Sequence, residues 1–267
     1  MNKNYIDIGI GLTNKQFRNE INSTIKRAVE ANVSTMIMTG TSLKNSIESL
    51  KIAKQNEGVV FATAGIHPHN AKEYNGDTKS KLKQMLSDSK TVSVGECGLD
   101  FDRDFSPRPI QETCFRAHLE LAIETQKPLF LHERAAFEKF NGIISEYSNE
   151  LPLGVVHCFT SDMKAVKTYL DHGFYIGFTG AVSDARRFSH LKDVVNYVPI
   201  DRLMIETDAP FMLPKNVPSE MLNVRHKRRN EPAFLPYVAE TVAEFKNLTT
   251  EEVMKETTKN SKMFFGI

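Results

Sequence analysis

Five apolar segments of this chain run into a histidine or a carboxylate. They are Gly65-Ile66-His67-Pro68-His69, Gly95-Glu96-Cys97-Gly98, Phe130-Leu131-His132-Glu133-Arg134, Val155-Val156-His157-Cys158-Phe159 and Ile205-Glu206-Thr207-Asp208-Ala209-Pro210. One histidine after an apolar run is more often structural than functional, but five such endings point to one shared site. The set Glu96, His132, His157 and Asp208, with His67 and His69 beside it, mixes imidazole with carboxylate. That mixture suits Zn²⁺, Mn²⁺ or Fe²⁺ and, completed by water, Mg²⁺. Several such groups at one place need a cation to offset their repulsion and desolvation. A metal there would acidify water toward neutrality and act as a Lewis acid on a phosphoryl oxygen. A neighbouring carboxylate could take up the proton.

Groups so far apart in sequence can meet only if the chain brings the ends of its strands together. Eight segments rich in β-branched and apolar residues read as strands: Tyr5–Ile10, Thr35–Gly40, Val59–His67, Thr91–Gly98, Pro128–Arg134, Leu153–Phe159, Phe174–Gly180 and Arg202–Asp208. They start about 20 to 40 residues apart, the spacing of repeated βα units. The stretches between them have helical periodicity: Phe17, Ile21, Ile25 and Ala28 or Val29 form one face, and Phe115, Leu119 and Ala122 another. Gly173 stands where a helix beginning near Met163 would end, and Thr249 to Glu252 form a capping box for a last helix running toward Phe264. The pattern predicts an α/β fold, a (β/α)₈ TIM-type barrel spanning residues 1–267 as a single domain, with an open doubly wound sheet as the structural rival. In such barrels the C-terminal strand ends carry the active site, and the polar residues above fall there.

Composition narrows the setting. The 267 residues are 40% hydrophobic and 25% charged, ordinary for a soluble globular protein. No apolar run approaches a membrane span and the first residues do not read as a signal peptide. Cys97, Cys114 and Cys158 lack CxxC spacing, which favours a reduced, cytoplasmic protein. With 34 basic and 33 acidic residues the net charge is +1, so any contact with a polyanion must be local. Arg225-His226-Lys227-Arg228-Arg229 is the one conspicuous basic cluster, equally readable as a solvated loop or a phosphate contact. Strand alternation turns Cys97 and Cys158 away from the site as packing residues. His118 and His172 read as surface residues on helices, His172 suited to a helix C-terminus, and His190 carries no signal.

Together the motifs resemble the TatD family of metal-dependent deoxyribonucleases. The matching segments are AGIHPH (64–69), VGECGLDF (94–101), LHER (131–134), VVHCFTS (155–161), YIGFTG (175–180), IETDAPF (205–211) and RRNEPAFLP (228–236), in family order and over essentially the whole chain. The resemblance implies a TIM-type barrel and removal of nucleotides from DNA, often as a 3′-to-5′ exonuclease. It implies metal ligation by Glu96, His132, His157 and Asp208, with Asp208 also the general base. His67 and His69 would contact substrate phosphate or water near the metal. Arg134 and Arg229 would bind flanking phosphates, and Arg229, Asn230 and Glu231 would organise the loop over the site. Many members begin with an I-D-x-H-x-H segment whose histidines hold a second metal. Here Gly9 and Gly11 stand in their place, which leaves one well-held ion, or a second held weakly through Glu96, Asp208 and water. Mg²⁺ or Mn²⁺ suits such a site better than caged Zn²⁺, which stays possible.

Two rivals stand beside the DNase reading. The same barrel and ligands serve hydrolysis of small esters, amides or lactones, and only the site can separate the two. A non-catalytic barrel is suggested by Gly9 and Gly11 and opposed by the retained ligand set. The expected partner is DNA, with no membrane and a monomeric chain.

Overall fold

The computed structural model describes residues 4–222 and 228–267. Its strands are β1 (Tyr5–Ile10), β2 (Val33–Met38), β3 (Val60–Ala64), β4 (Thr91–Asp100), β5 (Leu129–Arg134), β6 (Gly154–Val156), β7 (Tyr175–Phe178) and β8 (Leu203–Ile205). They run parallel in the order β1 to β8. The last strand returns to the first just beyond its end. Asp208 N–H donates to the Gly9 carbonyl (2.8 Å), Gly11 N–H donates to the Ala209 carbonyl (2.7 Å), and Ile10 pairs with Ala209. These contacts close the (β/α)₈ barrel that the spacing predicts and exclude the open sheet.

The helices are α1 (Ile21–Glu30), α2 (Leu43–Gln55), α3 (Gly76–Leu86), α4 (Arg108–Thr125), α5 (Phe137–Glu146), α6 (Met163–Asp171), α7 (Ala185–Phe188), α8 (Leu191–Tyr197), α9 (Leu235–Lys246) and α10 (Thr250–Phe265). Their ends follow the local chemistry. Asp162 caps α6 by accepting from Ala165 N–H, and Gly173 takes a left-handed φ of 78° just past it. Thr249 and Glu252 form the predicted capping box of α10. Phe17 falls outside α1, in a short 3₁₀ turn, and Val29 is exposed, so Ile25 and Ala28 carry the buried face of that helix.

Strands buried on both faces need continuous apolar runs, and all residues of β1 and β4 are buried. One apolar layer lies between strands and helices. A second fills the barrel, from Ile6, Ile8, Ile37, Phe130, Val155 and Met204, with Phe264 and Phe265 of α10 packed beneath it. The lower barrel is thus an apolar plug, and polar side chains are left to its C-terminal mouth.

Several strands stop earlier than the sequence predicts. β3 ends at Ala64, β6 at Val156 and β8 at Ile205. His67 instead caps a 3₁₀ turn (Pro68–Glu73), accepting the His69 N–H on its ring. His157, Glu206 and Asp208 therefore sit on irregular backbone just past strand ends, whereas Glu96 and His132 lie within β4 and β5.

Candidate active site

Glu96 Oε1 is the centre of the mouth. His157 Nε2 lies 2.8 Å from it, His132 Nδ1 3.0 Å and His67 Nε2 3.2 Å. A carboxylate oxygen has two lone pairs, so three ring nitrogens at this range exceed what hydrogen bonding to Glu96 accounts for. A shared cation would draw in such a group. Among the described residues, His132 Nε2 is buried without a hydrogen-bond partner, its nearest carboxylate oxygen being that of Asp100 at 3.6 Å. Donor atoms of His67, Glu96 and His132 all lie within 4.8 Å of one another. The donor set thus fits a divalent metal, both in chemistry and in its unpaired nitrogen.

Electrostatics point the same way. Burial opposes ionisation of Glu96, but His157, His67 and His132 outweigh it and hold the carboxyl well below its usual range. Burial disfavours protonation of His157, yet Glu96 and Glu206 on its two nitrogens push its pKa well up. The two carboxylates thus favour a positive charge between them. Burial lowers the pKa of His67 to about 4. This ring is neutral at pH 7, and because Nδ1 accepts from His69 N–H its proton sits on Nε2, facing Glu96. Burial raises Asp208 to about 7, assisted by the nearby Glu206 and Glu96 and opposed by His157 and His132.

Two carboxylates outside the predicted set complete the site. Glu206 is fully buried; it accepts from Cys158 N–H (2.5 Å) and lies 3.3 Å from His157 Nδ1. Gly9 makes room for it, since a Cβ there would run into the Glu206 carboxylate. The glycine where a relative would carry a histidine is thus matched to this carboxylate. Asp100 binds His69 Nε2 at 2.6 Å and accepts from the N–H groups of Asp102 and Arg103. Although burial opposes it, contact with His132 and His69 drives its pKa far down. Both were detectable signals: Glu206 stands two residues before Asp208, and Asp100 closes the GECGLD segment. Asp7 acts from behind, accepting from Thr207 N–H (2.9 Å) and Oγ–H (2.5 Å), and so fixes the residue between Glu206 and Asp208.

The remaining expectations divide. His67, His69, Glu96, His132, Arg134, His157 and Asp208 all line one cleft of about 920 Å³ at the mouth. Arg229 is not brought there. Its side chain has no exposed surface, packs on Phe17, and bonds the Gln16 carbonyl, Glu20 and Glu231. It anchors the loop. Arg225, His226 and Lys227 lie outside the described residues, and Arg228 is exposed. His118 is fully buried rather than on the surface; Nδ1 donates to the Cys114 carbonyl and Nε2 accepts from Ile66 N–H, steadying the segment that carries His67. Cys97 is buried as predicted, but Cys158 lines the cleft, because β6 has ended and its φ of 46° breaks the alternation. His172 closes α6 as expected, its ring bonded to Asn141.

A closed parallel barrel with carboxylates and imidazoles at its C-terminal mouth defines a metal-dependent hydrolase-type scaffold. Residues 6–266 match the family of TatD related DNases, and the chain belongs to that family. A "3'-5' ssDNA/RNA exonuclease TatD" of Rahnella sp. (strain Y9602) is 41% identical over 261 residues, 98% of each chain. One of the same description from Erwinia tasmaniensis is 40% identical, covering 98% of this chain and 99% of its own. Among solved structures, a hydrolase TatD family protein from Entamoeba histolytica superposes with TM-score 0.87 at 25% identity over 99% of both chains. The TatD homolog YJJV of Escherichia coli k12 shares the fold, with TM-score 0.89 at 24% identity over 100% of both chains.

Proposed function

We propose that this chain is a metal-dependent exonuclease that removes nucleotides from the 3′ end of DNA. The observation that carries the reading is the convergence of His67, His132 and His157 on one oxygen of Glu96. It is supported by family membership and by relatives described as 3′-5′ ssDNA/RNA exonucleases over nearly the full length.

Glu96, His132, His157 and Asp208 would hold the ion. When bound, it lowers the pKa of water and polarises a phosphoryl oxygen. Asp208, with its carboxyl near pH 7, accepts the proton of the attacking water. His67 stays neutral and presents Nε2–H to an oxygen of the substrate. His69 is aimed by Asp100, and Arg134 at the rim, paired with Asp102 at 2.9 Å, neutralises a flanking phosphate. Glu206 orients the His157 ring through Nδ1.

The ion is Mg²⁺ or Mn²⁺, and the share of imidazole among the donors favours Mn²⁺, which takes both donor types. Zn²⁺ is the alternative. One ion is well held, because Gly9 and Gly11 bring no ligands and Glu206 fills the space beside Gly9. Residues 1–267 form one domain, α10 sealing the barrel of which β1 is the first strand. The chain acts as a monomer in the cytoplasm. The unpaired cysteines support the reducing compartment, and no described helix is long and apolar enough to cross a membrane.

The test is digestion of 5′-labelled and 3′-labelled single-stranded oligonucleotides with Mg²⁺, Mn²⁺ or EDTA, beside small carboxylic esters. A 3′ label lost first, only with metal, is the expected result. Ester hydrolysis without oligonucleotide cleavage would instead assign the site to small substrates.

A further inference from the structure

Among the described residues, nine large hydrophobic side chains are exposed, and only two of them are phenylalanines: Phe105 at 59% and Phe211 at 56%. Both line the cleft. Leaving such rings in water forgoes the stabilisation of burial, though single exposed apolar residues are common. Their placement is what needs an account. Phe105 follows β4 and Phe211 follows β8, and in a closed barrel ordered β1 to β8 these strands are diametrically opposed. The two rings therefore stand on opposite lips of the mouth, with Glu96, His132 and Asp208 between them.

Neither ring hangs on a loose loop. Phe105 packs on His69 at 4.7 Å between centroids, and the next residue, Ser106, bonds the His69 carbonyl. Phe211 N–H donates to the Asp208 carbonyl (2.9 Å), and Asn230 N–H donates to the Pro210 carbonyl (3.0 Å). Cations share the rim: Lys72 and Arg103 near Phe105, with Arg134 beside them and Arg187 elsewhere in the lining. Flat aromatic faces interleaved with cations are the chemistry that holds single strands, since every base offers a π face whatever its sequence.

We propose that Phe105 and Phe211 each stack a base of an unpaired strand, one on either side of the phosphate being cleaved. The proposal rests on the nuclease reading and adds its specificity determinants. Bases within a duplex already stack on their neighbours and cannot be gripped this way, so the site selects unpaired ends without reading sequence.

The chain has no tryptophan, so Phe105→Trp and Phe211→Trp each introduce a single reporter indole. With Asp208→Asn added to keep the strand uncut, each indole should be quenched by a single-stranded oligonucleotide. An abasic oligomer of equal charge should leave it bright. In steady-state kinetics of otherwise native chains, Phe105→Ala and Phe211→Ala should each raise KM about 5- to 160-fold, from the stacking energy of one base. The kcat should change little, and preference for single over double strands should fall by a similar factor. Phe→Leu should behave like Phe→Ala, and Phe→Tyr should restore the native KM. Leucine serving as well as phenylalanine would overturn the proposal, as would equal quenching by the abasic oligomer or none by either. If the native chain cuts no oligonucleotide, the nuclease reading fails, and the quench still decides whether bases stack.

Discussion

Gly9→Ala in the first strand isolates the packing on which the site depends. A Cβ at Gly9 would occupy the place of Glu206 Oε2, the oxygen that lies 3.3 Å from His157 Nδ1. Glu206 must then turn and give up that contact. A hydrogen bond to a charged group is worth about 1.5–3 kcal/mol. Gly9 is not in the left-handed region, so alanine also returns about 0.4–1 kcal/mol by restricting the unfolded chain. The net expectation is destabilisation of about 1–2 kcal/mol, or a fall in Tm of roughly 2–8 °C for a chain of this size. The assay is a double-mutant cycle of thermal melts in EDTA with Gly9→Ala, Glu206→Ala and the pair. Without Glu206 only the milder contact with Phe130 Cζ at 3.3 Å remains, so Gly9→Ala should become nearly neutral or stabilising. That change of sign is specific to the mechanism. An equal cost of Gly9→Ala in both backgrounds would refute the claim that Gly9 makes room for Glu206.

Other consequences are open to measurement. Arg229→Ala should cost about 1–3 kcal/mol by removing a buried guanidinium that bonds the Gln16 carbonyl, Glu20 and Glu231, yet leave the salt dependence of oligonucleotide KM unaltered; a flattened salt dependence would return Arg229 to the phosphates. Because burial holds Asp208 near 7 and His157 is pushed up, metal must displace protons. Mn²⁺ affinity by calorimetry should therefore weaken about tenfold or more from pH 8 to pH 6, and equal affinities would contradict the assignment. His132→Ala should abolish Mn²⁺ binding and also lower the metal-free melt, since the Nδ1 contact with Glu96 goes with the ring; retained binding would remove His132 from the ligand set. His118→Phe should lower stability by about 1–3 kcal/mol through the orphaned Ile66 N–H, while metal affinity in the folded fraction holds.

The barrel was legible because eight apolar runs recur at βα spacing, and the mouth because each critical run ends in a ligand-type residue. Boundaries were less so. Pro68 and the left-handed turns at Cys158 and Asp208 end or bend the chain earlier than hydrophobicity suggests. That is why alternation misplaced Cys158. The loop-organising role of Arg229 was legible beside Glu231, but its burial was not, because its other partners Glu20 and Gln16 lie more than 200 residues away. Asp100 went unassigned because its partner His69 is on the 3₁₀ turn after β3, brought near only by the neighbouring of β3 and β4. The glycine at position 9 reads as a lost ligand in sequence, and its fit to Glu206 exists only in three dimensions.

The most direct test is metal add-back after chelation, following Mn²⁺ occupancy and cleavage of a 3′-labelled single strand in the same samples. Native chain and Asp208→Asn are purified identically. Cleavage should rise in step with occupancy of one tight site in the native chain and be absent from the variant at any occupancy. Cleavage that persists in EDTA, or that survives in Asp208→Asn, would contradict a metal-dependent nuclease centred on Glu96 and Asp208.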